Sequence, residues 1–399
     1  LLMDSGRNWT AEQKEAITEQ GCDMLVSAAA GAGKTAVLVE RIINKITDPD
    51  NPVDIDRLLV MTFTNAAASE MRERIASAIA ERLEANPGSQ NILRQLTLLD
   101  NATITTIHSF CVDVIRSNFQ LIGIDPNFRV ADETECRLIK LEALNDVFEE
   151  QYEIENPSFY ELLECYGGNR DDQALQDLVL YLYDFVRSIP WPEEWLNRMC
   201  GMLDIADGTD FSQTPWGKAI LHSVKLELEG ILKMIGRALE LTGAGSAREG
   251  NDTGVSRGLD KYYDICIEDY KNISSILDYI KNEDIKWDDV YGLLQGISFR
   301  ALPRAGKDTG TEKQEKIKKL RNDARAGIKK LREKVITAVS DEIASDLKMV
   351  YPKIKTLCGL VNMLSEKYAQ KKARRTLVDF NDLEHFCLVI LAKKRGRYA

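Results

Sequence analysis

A chain of 399 residues has room for about two to three domains, and its 44% hydrophobic content is ordinary for a globular protein. No apolar run approaches the roughly eighteen residues of a membrane-spanning helix, and residues 1–7 lack the apolar core of a signal peptide, so a cytoplasmic protein with no membrane partner is expected. The net charge of -11 argues against indiscriminate coating of nucleic acid but leaves room for a local basic groove. The 8 cysteines stand singly with no C-x-x-C pair, and the 3 histidines add no metal spacing. Reduced, buried thiols are expected.

In chain order, Thr10 followed three residues later by Gln13 has the spacing of a capping box at a helix start. Residues 23–27 read as a short buried strand. Residues 34–46 read as a helix, with Val37, Leu38, Ile42 and Ile43 at helical spacing. A second strand is expected over 57–63, a helix over 66–83, a β-branched strand over 102–106 and a helix over 109–119. Strands alternating with helices predict βαβ units around a parallel sheet.

After Asp125 and Pro126 the pattern changes. From 132 to about 370 helical periodicity dominates, with breaks expected near 167–168, 189–192, 207–209, 242–258 and 305–310. The 242–258 stretch is rich in Gly, Ser, Asn and Asp and reads as a mobile loop. Two basic clusters stand out. One runs from Arg304 to Lys334 and includes Lys307, Lys313, Lys316, Lys318, Lys319, Arg321, Arg325, Lys329, Lys330 and Arg332; the other is Lys371, Lys372, Arg374 and Arg375. Solvated helix faces and a nucleic-acid contact are both open on charge pattern alone.

The most informative segment is Ala28, Ala29, Ala30, Gly31, Ala32, Gly33, Lys34, Thr35 and Ala36, between an expected strand and an expected helix. In that context the pattern is a P-loop. Small residues let successive backbone N–H groups turn toward phosphates, and the helix N-terminus adds partial positive charge. Lys34 is the candidate for the β- and γ-phosphates of ATP, and the Thr35 hydroxyl for Mg²⁺. Ala28 stands where the general pattern has glycine, which is tolerable if that position needs no positive φ.

Together with residues 10–13, this A-x-x-G-x-G-K-T segment resembles the superfamily-one DNA helicases of the UvrD, Rep and RecB group, in which alanine is expected at position 28. Residues 62–74 (T-F-T-N-A-A-A-S-E-M-R-E-R) resemble that group's first DNA-contact motif, and residues 105–111 (T-T-I-H-S-F-C) its next. Residues 26–41, 125–133, 192–196 and 377–385 are similar to the AddA family of bacterial AddAB helicase–nucleases. The resemblance implies that Gln13 reads adenine, that Thr62, Phe63, Thr64 and Asn65 contact DNA after one strand, and that Thr106, His108 and Ser109 do so after the next. From the residues alone, a capping box for Gln13, a core position for Phe63 and a capping or core role for His108 stay open.

The carboxylate pair that such an ATPase needs is not recognisable. Asp132-Glu133 and Asp341-Glu342 do not follow buried strands, and Asp269-Tyr270-Lys271, which echoes a nuclease motif, lies in a helical stretch without partner acids. The resemblance places the missing motif beyond the D-F-N-D-L block at 379–383, so an amino-terminal fragment is expected. The expected organisation is an incomplete RecA-like P-loop α/β domain over 1–130, an all-helical insertion over 131–370 and a return segment over 371–399 that stops before the Walker B strand. The expected function is that of an ATP-dependent 3′-to-5′ DNA helicase and exonuclease component in double-strand break repair. Mg²⁺ and ATP are the expected cofactors, with an AddB-type partner subunit and single- and double-stranded DNA as ligands. The alternative is a non-catalytic DNA- or partner-binding helical module with a vestigial nucleotide site.

Overall fold

The computed structural model describes residues 8–166, 171–242, 260–282, 284–303 and 311–392. The breaks expected at 167–168 and 305–310, nearly all of the loop expected at 242–258, and the cations Arg304 and Lys307 lie outside the described residues.

In chain order the elements are α1 (Ala11–Thr18), α2 (Lys34–Ile46), β1 (Leu59–Thr62), α3 (Asn65–Ala85), α4 (Gln90–Leu98), β2 (Thr103–Thr106), α5 (Ile107–Ile122), β3 (Arg129–Val130) and α6 (Glu133–Glu153). Then come α7 (Pro157–Tyr166), α8 (Gln173–Arg187), α9 (Pro192–Gly201), α10 (Pro215–Thr242), α11 (Asp260–Ile280), α12 (Trp287–Gly296), α13 (Thr311–Lys330), α14 (Ser340–Arg374), β4 (Leu377–Val378) and α15 (Phe380–Leu391). The chain divides into two compact units, Leu1–Asn145 with Glu366–Ala399, and Asp146–Ser365. No helix among the described residues is long and apolar enough to cross a membrane.

In the first unit β1 and β2 pair in parallel, with Leu59 opposite Thr103 and Thr62 opposite Thr106. A parallel pair needs a long crossover, supplied here by α3 and α4. Helical spacing puts Met71, Ile75 and Ile79 on one face of α3, and these close with Ile42, Ile43 and Ile46 of α2 on Val60 and Ile104 of the strands. Arg72 ties α3 to the approach of β2 by donating to the carbonyls of Leu99 at 2.6 Å and Ala102 at 2.9 Å. A second parallel pair, β3 with β4, brings Arg129 opposite Leu377. Beneath it α5 and α15 share a core of Cys111, Ile115, Leu383 and Cys387.

The strand expected over 23–27 is not formed. Strands exist through ladder hydrogen bonds, and no described backbone pairs with this run. Its apolar side chains stay in solvent, Leu25 at 95% exposure. The expectation of uniformly buried thiols also needs correction. Cys111, Cys200, Cys266, Cys358 and Cys387 are buried, but Cys136 is half-buried and Cys22 and Cys165 are exposed.

In the second unit α10, α11 and α13 enclose a core that includes Leu228, Ile231, Cys266, Ile273, Ile317 and Ile328. Inside it the Arg321 guanidinium donates to Asp269 at 2.6 Å and to the Arg300 carbonyl at 2.7 Å. This structural pair explains Asp269 without any nuclease role, and it withdraws Arg321 from the solvated basic face. The start of α10 lies so close to the turn before it that a Cβ on Gly217 would stand 1.9 Å from the Phe211 carbonyl oxygen. Gly217→Ala should therefore lower the unfolding free energy by about 1–3 kcal/mol, despite alanine's better helix propensity. A urea titration followed by circular dichroism reads this directly.

Candidate nucleotide and DNA-contact site

The P-loop segment is exposed, with Gly33 and Ala36 half-exposed. It turns on two glycines in the left-handed region, Gly31 at φ 80° and Gly33 at φ 79°, a conformation that side chains resist. Gly33 is the N-cap of α2 and offers no side-chain cap. The first N–H groups of that helix have no intrahelical carbonyl to bond, which is the condition for an anion cradle. Ala28 takes no positive φ, so its methyl group causes no strain. The Lys34 ammonium folds back and donates to the carbonyls of Ala28 at 2.7 Å and Ala29 at 2.9 Å. Thr35, exposed in the first turn of α2, has the hydroxyl needed for a hard cation.

Gln13 holds two positions at once. With Thr10 it completes the capping box of α1, its Oε1 accepting from the Thr10 N–H at 3.0 Å and its own N–H donating to the Thr10 hydroxyl at 3.3 Å. Its Nε2 donates to the Ala32 carbonyl of the P-loop at 3.2 Å. The amide thus joins helix α1 to the loop rather than capping α1 alone.

The in-register end of the parallel pair, Thr62 opposite Thr106, sends the two downstream blocks off the same carboxyl edge of the strands. Phe63 is 96% exposed, so the core-aromatic alternative fails. Thr62 donates its hydroxyl to the Thr64 carbonyl at 3.0 Å. Thr64 caps α3 by accepting from the Ala67 N–H, and Asn65 opens that helix, exposed. Thr106 caps α5 by accepting from the Ser109 N–H at 3.2 Å and also lies 2.9 Å from the Ser109 hydroxyl. His108 is neither cap nor core. Its Nε2 lies 3.2 Å from Glu384, and its ring meets the Phe380 ring edge-on at 4.8 Å between centroids.

Sequence patterning did not reveal α15 as a neighbour of this edge. The start of α15 is fixed by a buried charge cluster. Lys372 donates to Asp379 at 2.7 Å and to Asp382, and lies over the Tyr368 ring. Asp379 and Asp382 cap each other's backbone N–H groups reciprocally. Lys372 is therefore not part of a solvated basic face; its side chain is only 4% exposed. Arg375 of the same cluster pairs with Glu142 at 2.9 Å. The signal available in the sequence was the D-x-x-D spacing of 379–382, a capping box in acidic form. Asp132 and Asp341 are helix-start acids, Asp132 accepting from the Glu135 N–H at 2.8 Å and Asp341 lying in the first turn of α14.

The UvrD/REP helicase N-terminal domain family matches residues 9–397. The chain is similar to an ATP-dependent helicase/nuclease subunit of Acetivibrio thermocellus, at 61% identity over 98% of this chain and 31% of that protein. It is also similar to the proteins of that name from Ruminiclostridium cellulolyticum, at 52% identity over 98% of this chain and 30% of theirs, and from Thermoanaerobacter sp. strain X514, at 46% identity over 97% and 30%. The chain thus spans under a third of the length of these curated relatives.

Replacing Lys372 by methionine would remove the ammonium counter-charge from the buried carboxylates of Asp379 and Asp382. Removing one partner of a buried ion pair costs about 3–5 kcal/mol, and Lys372→Met should lose stability on that scale in guanidinium melts.

Proposed function

Since the chain belongs to the UvrD/REP helicase N-terminal domain family, we propose that it forms the nucleotide-binding and strand-gripping part of an ATP-dependent 3′-to-5′ DNA helicase, combined with exonuclease activity in a longer protein that processes double-strand breaks with an AddB-type partner. On this reading residues 1–130 are part of the first RecA-like domain, 131–370 are a helical insertion and 371–399 are the return segment toward that domain. The observation that carries the DNA-motor reading, as against an unrelated P-loop ATPase, is the fully exposed Phe63 leaving the same strand edge as His108.

The residues fit the ligands they are assigned. Ala28, Ala29, Ala30, Gly31, Ala32 and Gly33 supply a curled backbone, Lys34 a cation and Thr35 a hydroxyl, with Ala36 N–H in the first turn of α2. ATP and Mg²⁺ would supply the phosphoanhydride bond and neutralise its developing charge. Lys34 would leave the carbonyls of its own loop to hold the β- and γ-phosphates. Gln13 would turn its carboxamide toward adenine, and its present bond to Ala32 gives the base pocket and the phosphate loop a shared residue. Phe63 offers an unobstructed face for stacking on a base, while Thr62, Thr64, Asn65, Thr106 and Ser109 offer hydroxyls and an amide for backbone phosphates.

Lys34→Ala should weaken binding of a fluorescent ATP analogue by about tenfold or more, the scale of a charge-assisted contact. Phe63→Ala should leave that binding intact but lower affinity for oligothymidylate. A preference for GTP over ATP would contradict the role given to Gln13.

A second reading, that the helical unit binds duplex DNA, is favoured by the outer face of α13. Lys318 and Lys319 are exposed there, whereas Lys316 and Lys330 pair with Glu312 and Glu227. The double substitution Lys318→Glu with Lys319→Glu should reduce the slope of log affinity against log salt by about 2 for duplex DNA, near one unit per lost phosphate contact. An unchanged slope would make this face merely solvated.

A further inference from the structure

The proposed DNA contacts leave unexplained why α15 reaches His108. Phe380 and Glu384 are four residues apart, and so share one face of α15. Both meet the same imidazole: Phe380 edge-on at 4.8 Å, and Glu384 at 3.2 Å from Nε2. Their helix cannot easily pivot. Its first turn is held by the reciprocal Asp379–Asp382 cap and by the buried Lys372 ammonium between the two carboxylates. The turn leading into β4 carries Thr376 at φ 54°, a position few side chains adopt, and Thr376 is tied to β3 through its carbonyl at 3.0 Å from the Arg129 N–H. Cys387 and Leu383 pack this helix into the core it shares with α5. A rigid element thus delivers a carboxylate and an aromatic edge to a half-exposed histidine on a helix start.

We infer that Glu384 is a positioning residue for single-stranded DNA binding: its carboxylate, 3.2 Å from Nε2, favours the proton on that nitrogen of His108 and so fixes the tautomer and ring orientation, while Phe380 limits rotation of the ring. Nδ1 is then the nitrogen left for a ligand; among the described residues it has no partner. An unfixed imidazole would distribute its proton between both nitrogens and sample other rotamers, and binding would have to select one of them. This inference rests on the reading of His108 as a DNA contact.

The test is fluorescence anisotropy of labelled oligothymidylate with the unaltered protein and with His108→Ala, Glu384→Ala, Glu384→Gln and the double alanine variant, each also melted thermally. Glu384→Ala should weaken binding about three- to tenfold, the scale of one ordinary hydrogen bond, with an unchanged melting midpoint. Glu384→Gln keeps an acceptor oxygen and should restore binding to within about twofold of the unaltered protein. The double variant should bind no more weakly than His108→Ala, because Glu384 acts through that ring. If His108→Ala weakens binding but Glu384→Ala does not, or if the two losses add, the positioning role is overturned while the DNA contact stands. If Glu384→Gln binds as weakly as Glu384→Ala, or if Glu384→Ala lowers the melting midpoint, the role is structural. If His108→Ala binds as tightly as the unaltered protein, or the unaltered protein does not bind, the underlying DNA reading fails and takes the inference with it.

Discussion

Parallel strands cannot be joined by a tight turn, and that constraint organises the first unit. Pairing β1 with β2 requires the chain to travel away through α3 and α4 and return in the same direction. Both strands then end together, and whatever follows each of them emerges at one edge. Four residue pairs, Leu59–Thr103 to Thr62–Thr106, therefore bring the segments that carry Phe63 and His108 off one strand edge although they are far apart in sequence. The helices need hydrophobic faces only to hold this arrangement, which is why α2 and α3 bury one face each and leave the other to charged and polar side chains. Rossmann-like and P-loop sheets place ligands at the carboxyl ends of strands for the same geometric reason.

Buried charge does the corresponding work where the sheet is too short to do it. The β3–β4 pair is only two residues deep, too little to hold an incoming helix. Lys372, Asp379 and Asp382 add a polar lock at that junction, with Tyr368 beneath the ammonium. In the helical unit Arg321 and Asp269 play a similar part, with the Arg300 carbonyl taking the second side of the guanidinium. Such clusters add little net stability compared with apolar packing, but removing one partner is costly.

Much of this was legible in the sequence because it is local. The Thr10–Gln13 cap and the two phosphate-loop glycines are decided within a few residues, and the structure has both. What was not legible is what depends on distant partners. Residues 23–27 have the composition of a strand, yet strand formation is a property of two segments, and no described segment pairs with them. Lys372 sits among three other cations and reads as solvated until the chain folds Asp379 and Asp382 against it. For Phe63 a core position stays open in the sequence beside an exposed one, because an aromatic at a strand's end carries no periodicity to choose between them. Glu384 is one acid among 63 Asp and Glu, and nothing in its sequence surroundings points to a histidine on α5.

The Lys34 contacts bear on how a phosphate would be greeted. Its ammonium rests on two carbonyls of the loop it serves, so the curl of residues 28–33 is held from within as well as by the glycines. On the proposed nucleotide role, phosphate entry would be an exchange of acceptors, carbonyl for phosphate oxygen, rather than the capture of an idle cation. In that role the lysine would be a latch on its own doorway: it holds the loop's shape until phosphate enters, and it would have to let go in the act of gripping. The net gain from gripping would accordingly be smaller than the full ammonium–phosphate attraction, favouring a nucleotide that is held firmly yet can be exchanged.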